Sequence, residues 1–300
     1  MRGKKLAVAA ISLLFSAGLG ELGVRLAVPV RNVGPAFSVF DAVYGKRLKA
    51  GFRGERITPE FRMRLTTNSL GFRGPEPASF PLRAVLFLGD SFTLGYGVHD
   101  GEEYPELVRR ALALPVVNAG IGNTGNGRWV KFLRREAPRY DPRCVVLQIS
   151  ANDFADNQAE RLFELTPAGD LVELTPPREP LARGVQAAID RIPGLSYSYL
   201  VGLAQQANFR PRPEPRAGTD RLTWRLLEEA LRLCRDHRWP VLGLSADLEG
   251  ERLAQAEALF GRYDAPLLRA PRRTDRPDLY YRVDGHWNAA GHAHVARLIA

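Results

Sequence analysis

"RAVLFLGDS", Arg83 to Ser91, joins an unbroken apolar run from Ala84 to Leu88 to a small polar turn. A run this short, with no polar alternation, suits a strand buried on both faces, as parallel sheets require. Two later stretches repeat the design. "LPVVNA" ends in Asn118-Ala119, and "RCVVLQIS" ends in Ser150. "PVLGLSA" and "APLLRA" supply a fourth and a fifth strand. Helix-period segments lie between them. Leu107, Val108, Ala111 and Leu112 share one face, "GRWVKFLRREA" forms a second helix, and Leu222, Leu226, Ala230 and Leu233 mark a third. Its N-cap falls at Thr219-Asp220, and a last helix starts near Asn288. Strands alternating with helices predict an α/β fold with a parallel sheet covered on both faces.

The remaining segments divide the chain. Residues 1–28 open with Arg2, Lys4 and Lys5, followed by an apolar run from Leu6 to Leu19. Basic residues before a short apolar run are the layout of an export signal. Leu6 to Leu19 alone would rise about 21 Å as a helix, short of a hydrocarbon core of about 30 Å. Extended to Val28 the helix spans that core, with Glu21 and Arg25 near the outer interface. No A-x-A cleavage site is evident. The expectation is an extracytoplasmic protein anchored by residues 6–28, with a cleaved signal peptide as the alternative. Residues 29–82 read as an irregular lead-in with a few short strands, rich in Gly, Pro and Arg. Residues 83–300 form the main domain, carrying an insertion at about 154–218. Within that insertion "FELTPAGDLVEL" reads as a hairpin and "RPRPEPRAG" as an extended connector.

The chain has 300 residues, and its net charge of +9 comes from arginines spread along its length. A nucleic-acid groove would cluster them among aromatics, so nucleic acid is not the expected partner. Cys144 and Cys234 share no C-x-x-C spacing and read as core residues. Oligomeric state is not expressed in these patterns.

Ligands of open parallel sheets bind beyond the carboxyl ends of the strands. Gly89-Asp90-Ser91, Asn118 to Gly122, Ser150 to Asp153 and Asp284 to Asn288 all fall there. Ser91 is a candidate nucleophile, His286 the base that activates it, and Asp284 the group that orients the imidazole. Acyl transfer also needs donors for an oxyanion. Ser91 N–H, a glycine N–H of the second loop and the Asn152 side-chain amide are available. Asp90 reads as a helix cap or loop brace. His99 and His237 read as surface residues, and Trp129 and Trp287 as buried packing in preference to sugar platforms. His292 and His294 lack carboxylate or thiol support near His286, so no metal is expected.

These blocks resemble the SGNH (GDSL-type) hydrolases over about residues 66–300. "LFLGDSFTLGYGV", "VVNAGIG", "SAND" and "DGHWNAAGH" follow in that family's order, and "NSLGFRGPE" is similar to the lead-in of exported members. The resemblance implies a three-layer α/β/α sandwich around a mostly parallel five-stranded sheet, flavodoxin-like, with no cofactor. By position it makes Ser91 the nucleophile and His286 the base. Ser91 N–H, Gly122 and Asn152 form the oxyanion hole, with Gly120 and Gly125 as alternative donors. Ser150 replaces the usual glycine of the third block, a change expected to alter only loop conformation. Asp284 precedes His286 by two residues where the family often has three.

The D-x-H spacing followed by Trp-Asn resembles exported members that act on acetylated polysaccharides. The expected function is an exported serine esterase on O-acetyl esters of a carbohydrate polymer. An O-acetyltransferase of a cell-envelope polysaccharide and a non-catalytic glycan-binding protein are the alternatives. Gly120, Gly122 and Gly125 also match the dinucleotide pattern G-x-G-x-x-G. That fingerprint needs an acidic residue ending the next strand, where this chain has Ser150.

Overall fold

The computed structural model describes residues 2–177, 180–207 and 220–300. Five strands form one sheet: β1 (Val85–Leu88), β2 (Val116–Asn118), β3 (Cys144–Ile149), β4 (Val241–Ser245) and β5 (Leu267–Arg269). Their order is β5-β4-β3-β1-β2, and every pairing is parallel. Val85 lies opposite both Val116 and Cys144, which sets the register of β1 against its two neighbours, β2 and β3. This is the doubly wound arrangement in which the strand order reverses between β1 and β3, opening a crevice at their carboxyl ends.

Side chains alternate across the pleat. Leu86, Leu88, Val145, Leu147 and Ile149 face one layer, formed by α3 (Asn126–Arg135), α4 (Asp220–Asp236) and α5 (Gly250–Gly261). Val85, Phe87, Val146 and Leu244 face α2 (Tyr104–Leu112) and α6 (Ala289–Ile299). A short helix, α1 (Ser91–Leu94), follows β1 directly. The result is the expected three-layer α/β/α sandwich. On α4 the buried stripe is wider than Leu222, Leu226, Ala230 and Leu233. Thr223, Leu227, Leu231 and Cys234 are buried, while Leu222 and Leu233 flank the core. Phe163–Leu165 and Leu171–Glu173 pair as the expected hairpin. The Pro-rich connector and the Thr219 cap lie outside the described residues.

Among the described residues the chain forms two compact units. One comprises 37–53, 63–177 and 220–300 and holds the sheet, with much of the Gly/Pro/Arg-rich lead-in built into it. Its strands Ser38–Asp41 and Gly45–Leu48 pair antiparallel. The second unit comprises 2–36, 54–62 and 180–207. Its N-terminal helix, Arg2–Ala27, is about 39 Å long at 1.5 Å per residue and exposes Leu6, Leu13, Leu14 and Phe15. It is long and apolar enough to cross a membrane, as a signal or an anchor would be. Near its end the Glu21 carboxylate accepts hydrogen bonds from Ser198 Oγ (2.8 Å), Tyr199 N (2.8 Å) and Leu200 N (3.0 Å). The two backbone N–H groups are the first donors of the helix Tyr199–Ala207, which would otherwise lack partners.

Candidate active site

The turn after β1 is shaped by close packing. A side chain on Gly89 would meet Thr93 Oγ1 at 2.0 Å, so only glycine fits. Asp90 caps α1, accepting from Phe92 N at 2.9 Å, and its second oxygen accepts from Ser150 Oγ at 2.8 Å. The cap-and-brace reading of Asp90 is what the structure has. Gln148 Nε2 donates to Ser150 Oγ (2.6 Å), and its oxygen accepts from Thr93 Oγ1 (2.8 Å), which also bonds the Tyr104 hydroxyl (2.8 Å). Every member of this network is buried. Ser150 therefore does more than set loop conformation: its hydroxyl ties β3 to the Ser91 turn, a bond that glycine lacks the oxygen to make.

Arg73, in "NSLGFRGPE", supports the same turn from behind. Its fully buried guanidinium donates to the carbonyls of Leu94 (2.9 Å), Gly95 (2.5 Å) and Val98 (2.8 Å). The Leu94 and Gly95 carbonyls are ones a short helix leaves without partners at its C-terminal end, and Val98 O lies in the turn that follows.

His286 reaches Ser91 from the loop before α6. Asn288 caps that helix, accepting from Gly291 N at 3.0 Å, and Trp287 is buried against Phe92 with ring centroids 4.5 Å apart. The imidazole stands 5.0 Å from the Phe92 ring and 5.2 Å from Tyr96. Its Nε2 is 2.7 Å from Ser91 Oγ and its Nδ1 is 2.5 Å from Asp284 Oδ1. Gly285, at φ +86°, turns the chain so that a carboxylate only two residues upstream folds back onto the ring. An ionised carboxylate only accepts, so Nδ1 carries hydrogen and Nε2 is left to accept from the serine hydroxyl. A hydroxyl, imidazole and carboxylate linked this way can pass a proton from oxygen to nitrogen as the oxygen attacks an electrophile.

The three loop glycines have separate tasks. Gly120 packs on α1, where a Cβ would stand 2.4 Å from Leu94 N, and its N–H bonds Asn118 Oδ1 at 3.1 Å. At Gly125 a Cβ would meet Asn157 Oδ1 at 2.3 Å, and the Gly125 N–H bonds Glu160 Oε2 at 2.8 Å. Gly122 is the one beside Ser91, with a Cβ position 3.3 Å from the Ser91 Cβ. Asn152 follows β3 half-buried, and one hydrogen of its amide goes to Asp156 Oδ2 at 2.9 Å. An amide nitrogen carries two hydrogens, so a second remains to donate. Ser91, Gly122, Asn152, His286 and Asp284 thus all belong to the unit that holds the sheet, at its strand ends and in the loop before α6.

Burial raises the Glu160 carboxyl from the ordinary 4.5 to about 7, against the lowering pull of the Gly125 N–H and of Lys46. Glu160 binds its proton more tightly folded than unfolded, so it favours folding as pH drops from about 7 toward 4.5. Glu160→Gln is expected to melt higher than the native protein at pH 8 and to lose that advantage by pH 5. Melting curves across this range check it, and a constant difference contradicts it.

Trp129 and Trp287 are both buried, and His237 is exposed and stacked on Trp239. His99 is half-buried, its Nδ1 accepting from Arg64 N at 3.2 Å. His292 is fully buried, its Nδ1 accepting from Tyr104 N at 3.3 Å, and desolvation pushes it down to about 3. It is a neutral packing residue. Among the described residues no group of three His, Cys, Asp or Glu side chains is gathered to hold a metal. Sequence reasoning missed Asp247. It follows β4 and accepts from Ala151 N at 2.7 Å, next to Asn152. Solvent reaches part of the residue, but enclosure of its carboxyl raises it above the ordinary carboxylate range. The strand-end rule applied to "GLSAD" was the available signal.

A sequence profile described as the GDSL-like lipase/acylhydrolase family matches residues 87–294. No curated protein matches the chain. Among solved structures it is similar to TesA, with 15% identity over 72% of this chain and 95% of that one, at a TM-score of 0.44. It is similar to the psychrotrophic esterase EstA from Pseudoalteromonas sp., with 12% identity over 72% and 94% and a TM-score of 0.43. A two-domain esterase active on acetylated mannans gives 16% identity over 72% and 47%, at a TM-score of 0.39.

Proposed function

Because the chain belongs to the GDSL-like lipase/acylhydrolase family, we propose that its ester hydrolysis runs through Ser91, His286 and Asp284 on O-acetyl groups of a carbohydrate polymer outside the cytoplasm. The observation that carries this reading is the 2.7 Å contact between Ser91 Oγ and His286 Nε2, continued by the 2.5 Å contact to Asp284.

A serine hydroxyl is a weak nucleophile at neutral pH and needs a base in contact. As Ser91 Oγ attacks the ester carbonyl, its proton passes to His286 Nε2, and Asp284 stabilises the imidazolium. The carbonyl oxygen becomes an oxyanion held by Ser91 N–H, Gly122 N–H and the Asn152 amide. Collapse breaks the bond to the alcohol oxygen, which takes the proton from Nε2, and leaves acyl-Ser91. Water then attacks with His286 again as base, releasing the acid and restoring the hydroxyl. Asn152→Ala is expected to lower kcat by about 10²- to 10³-fold with little change in KM. Steady-state kinetics on a soluble acetyl ester check this, and an unchanged kcat would remove Asn152 from the oxyanion hole.

Two features support the substrate and the compartment. A cavity of about 450 Å³ lies at the ends of β4 and β5, lined by Asp247, Glu249, Arg269, Arg272 and Asp275 among others; it includes none of the catalytic side chains and adjoins the Asn152 loop through the Asp247 bond to Ala151 N. Carboxylates and guanidinium groups around one cavity suit a hydroxyl-rich ligand better than a fatty acyl chain. The N-terminal helix supports a retained anchor, because Glu21 satisfies the start of the helix Tyr199–Ala207. Cleavage near residue 28 would remove that partner. Acetate release from an acetylated polysaccharide, compared with release from a long-chain ester, tests the substrate. A strong preference for the long chain would overturn the carbohydrate assignment.

A further inference from the structure

The loop between β2 and α3 carries Gly122 N–H, and a glycine beside Ser91 leaves that peptide free to turn either way unless something else holds it. Three polar groups hold the surrounding carbonyls. Thr124, fully buried, donates from Oγ1 to Ile121 O at 2.6 Å. Lys46 donates from Nζ to Gly122 O at 3.0 Å and to Asn123 O at 3.4 Å. Arg128 donates to Ala119 O at 2.9 Å. Ile121 N also ties the loop to the Ser91 turn through Gly89 O at 3.2 Å.

Ile121 O and Gly122 N–H belong to the same peptide plane. In a trans peptide they point in opposite directions. A bond from Thr124 to Ile121 O therefore fixes the direction of Gly122 N–H. Lys46 holds the next two carbonyls, across Asn123, whose φ of +59° is a conformation that few residues other than glycine adopt. Lys46 comes from the strand Gly45–Leu48, outside residues 87–294 that match the family profile.

We propose that Thr124 and Lys46 are positioning residues that aim Gly122 N–H at the oxyanion. Thr124 acts on the donating peptide itself, and Lys46 prevents the following peptide from swinging its carbonyl toward Ser91. This inference rests on the Ser91 reading above.

The full chain is assayed on p-nitrophenyl acetate, with Ser91→Ala as the reference for background. Thr124→Val keeps the size and removes the hydroxyl. It is expected to lower kcat roughly 10- to 100-fold with KM within about twofold, less than outright loss of an oxyanion donor. Thr124→Ser is expected to restore most of the rate, which a mere packing role for the γ-methyl would not predict. Lys46→Met is expected to lower kcat about 10-fold, with Lys46→Arg retaining most of it. Unchanged kcat in Thr124→Val, or equal losses in the Val and Ser variants, overturns the role of Thr124. If Thr124→Val does not fold, the Lys46 pair decides alone, and an unchanged kcat in Lys46→Met overturns the proposal. Turnover that Ser91→Ala does not abolish overturns the underlying reading of the site instead, and this inference with it.

Discussion

Ser91→Ala is expected to lower ester turnover by about 10⁴-fold or more, with substrate binding and the melting temperature close to those of the native protein. The size follows from the chemistry. Without Oγ there is no acyl-enzyme, and what remains is water attacking a carbonyl polarised by the oxyanion donors. The small effect on folding follows from the site. Ser91 is partly exposed, and its turn is held by Asp90, Ser150, Gln148 and Arg73, none of which uses the Ser91 hydroxyl. Steady-state kinetics beside a thermal melt check both halves. A variant retaining more than about one-tenth of the activity would show that another group supplies the nucleophile.

His286→Ala is expected to cost nearly as much, because the members of such a unit act together and their losses do not add. The double variant with Ser91→Ala should then be little slower than either single variant. The His286 imidazole stands beside Phe92 and Tyr96, whereas Trp287 and the Asn288 cap carry the packing that holds α6. The variant should therefore stay folded. If the losses multiplied, Ser91 and His286 would be acting separately, and the 2.7 Å contact would have no catalytic meaning.

The parallel sheet was legible because β1, β2 and β3 are short apolar runs, almost wholly buried, that end in polar residues. The strand-end rule then collected Ser91, Gly122, Asn152 and His286, which lie far apart in sequence. What stayed hidden depends on long-range contacts that no local pattern encodes. Arg73 looks like one more surface arginine until its guanidinium is found on the carbonyls of Leu94, Gly95 and Val98. Lys46 sits in a segment whose composition allows a few short strands, one of which it occupies, but nothing local shows that its side chain reaches Gly122 O. Ser150 looked like a tolerated replacement for glycine because its partner, Asp90, comes from another strand end. The G-x-G-x-x-G match dissolved for the same reason, since each glycine meets a different neighbour: α1, Ser91 and Asn157.

His286 makes the Ser91 hydroxyl a nucleophile. Treating folded protein with a fluorophosphonate and locating the adduct by peptide mass spectrometry tests this. One adduct is expected, on Ser91, formed in the native protein and lost in folded His286→Ala. A folded native protein that leaves Ser91 unlabelled, or labelling that persists at the same rate without His286, would contradict it.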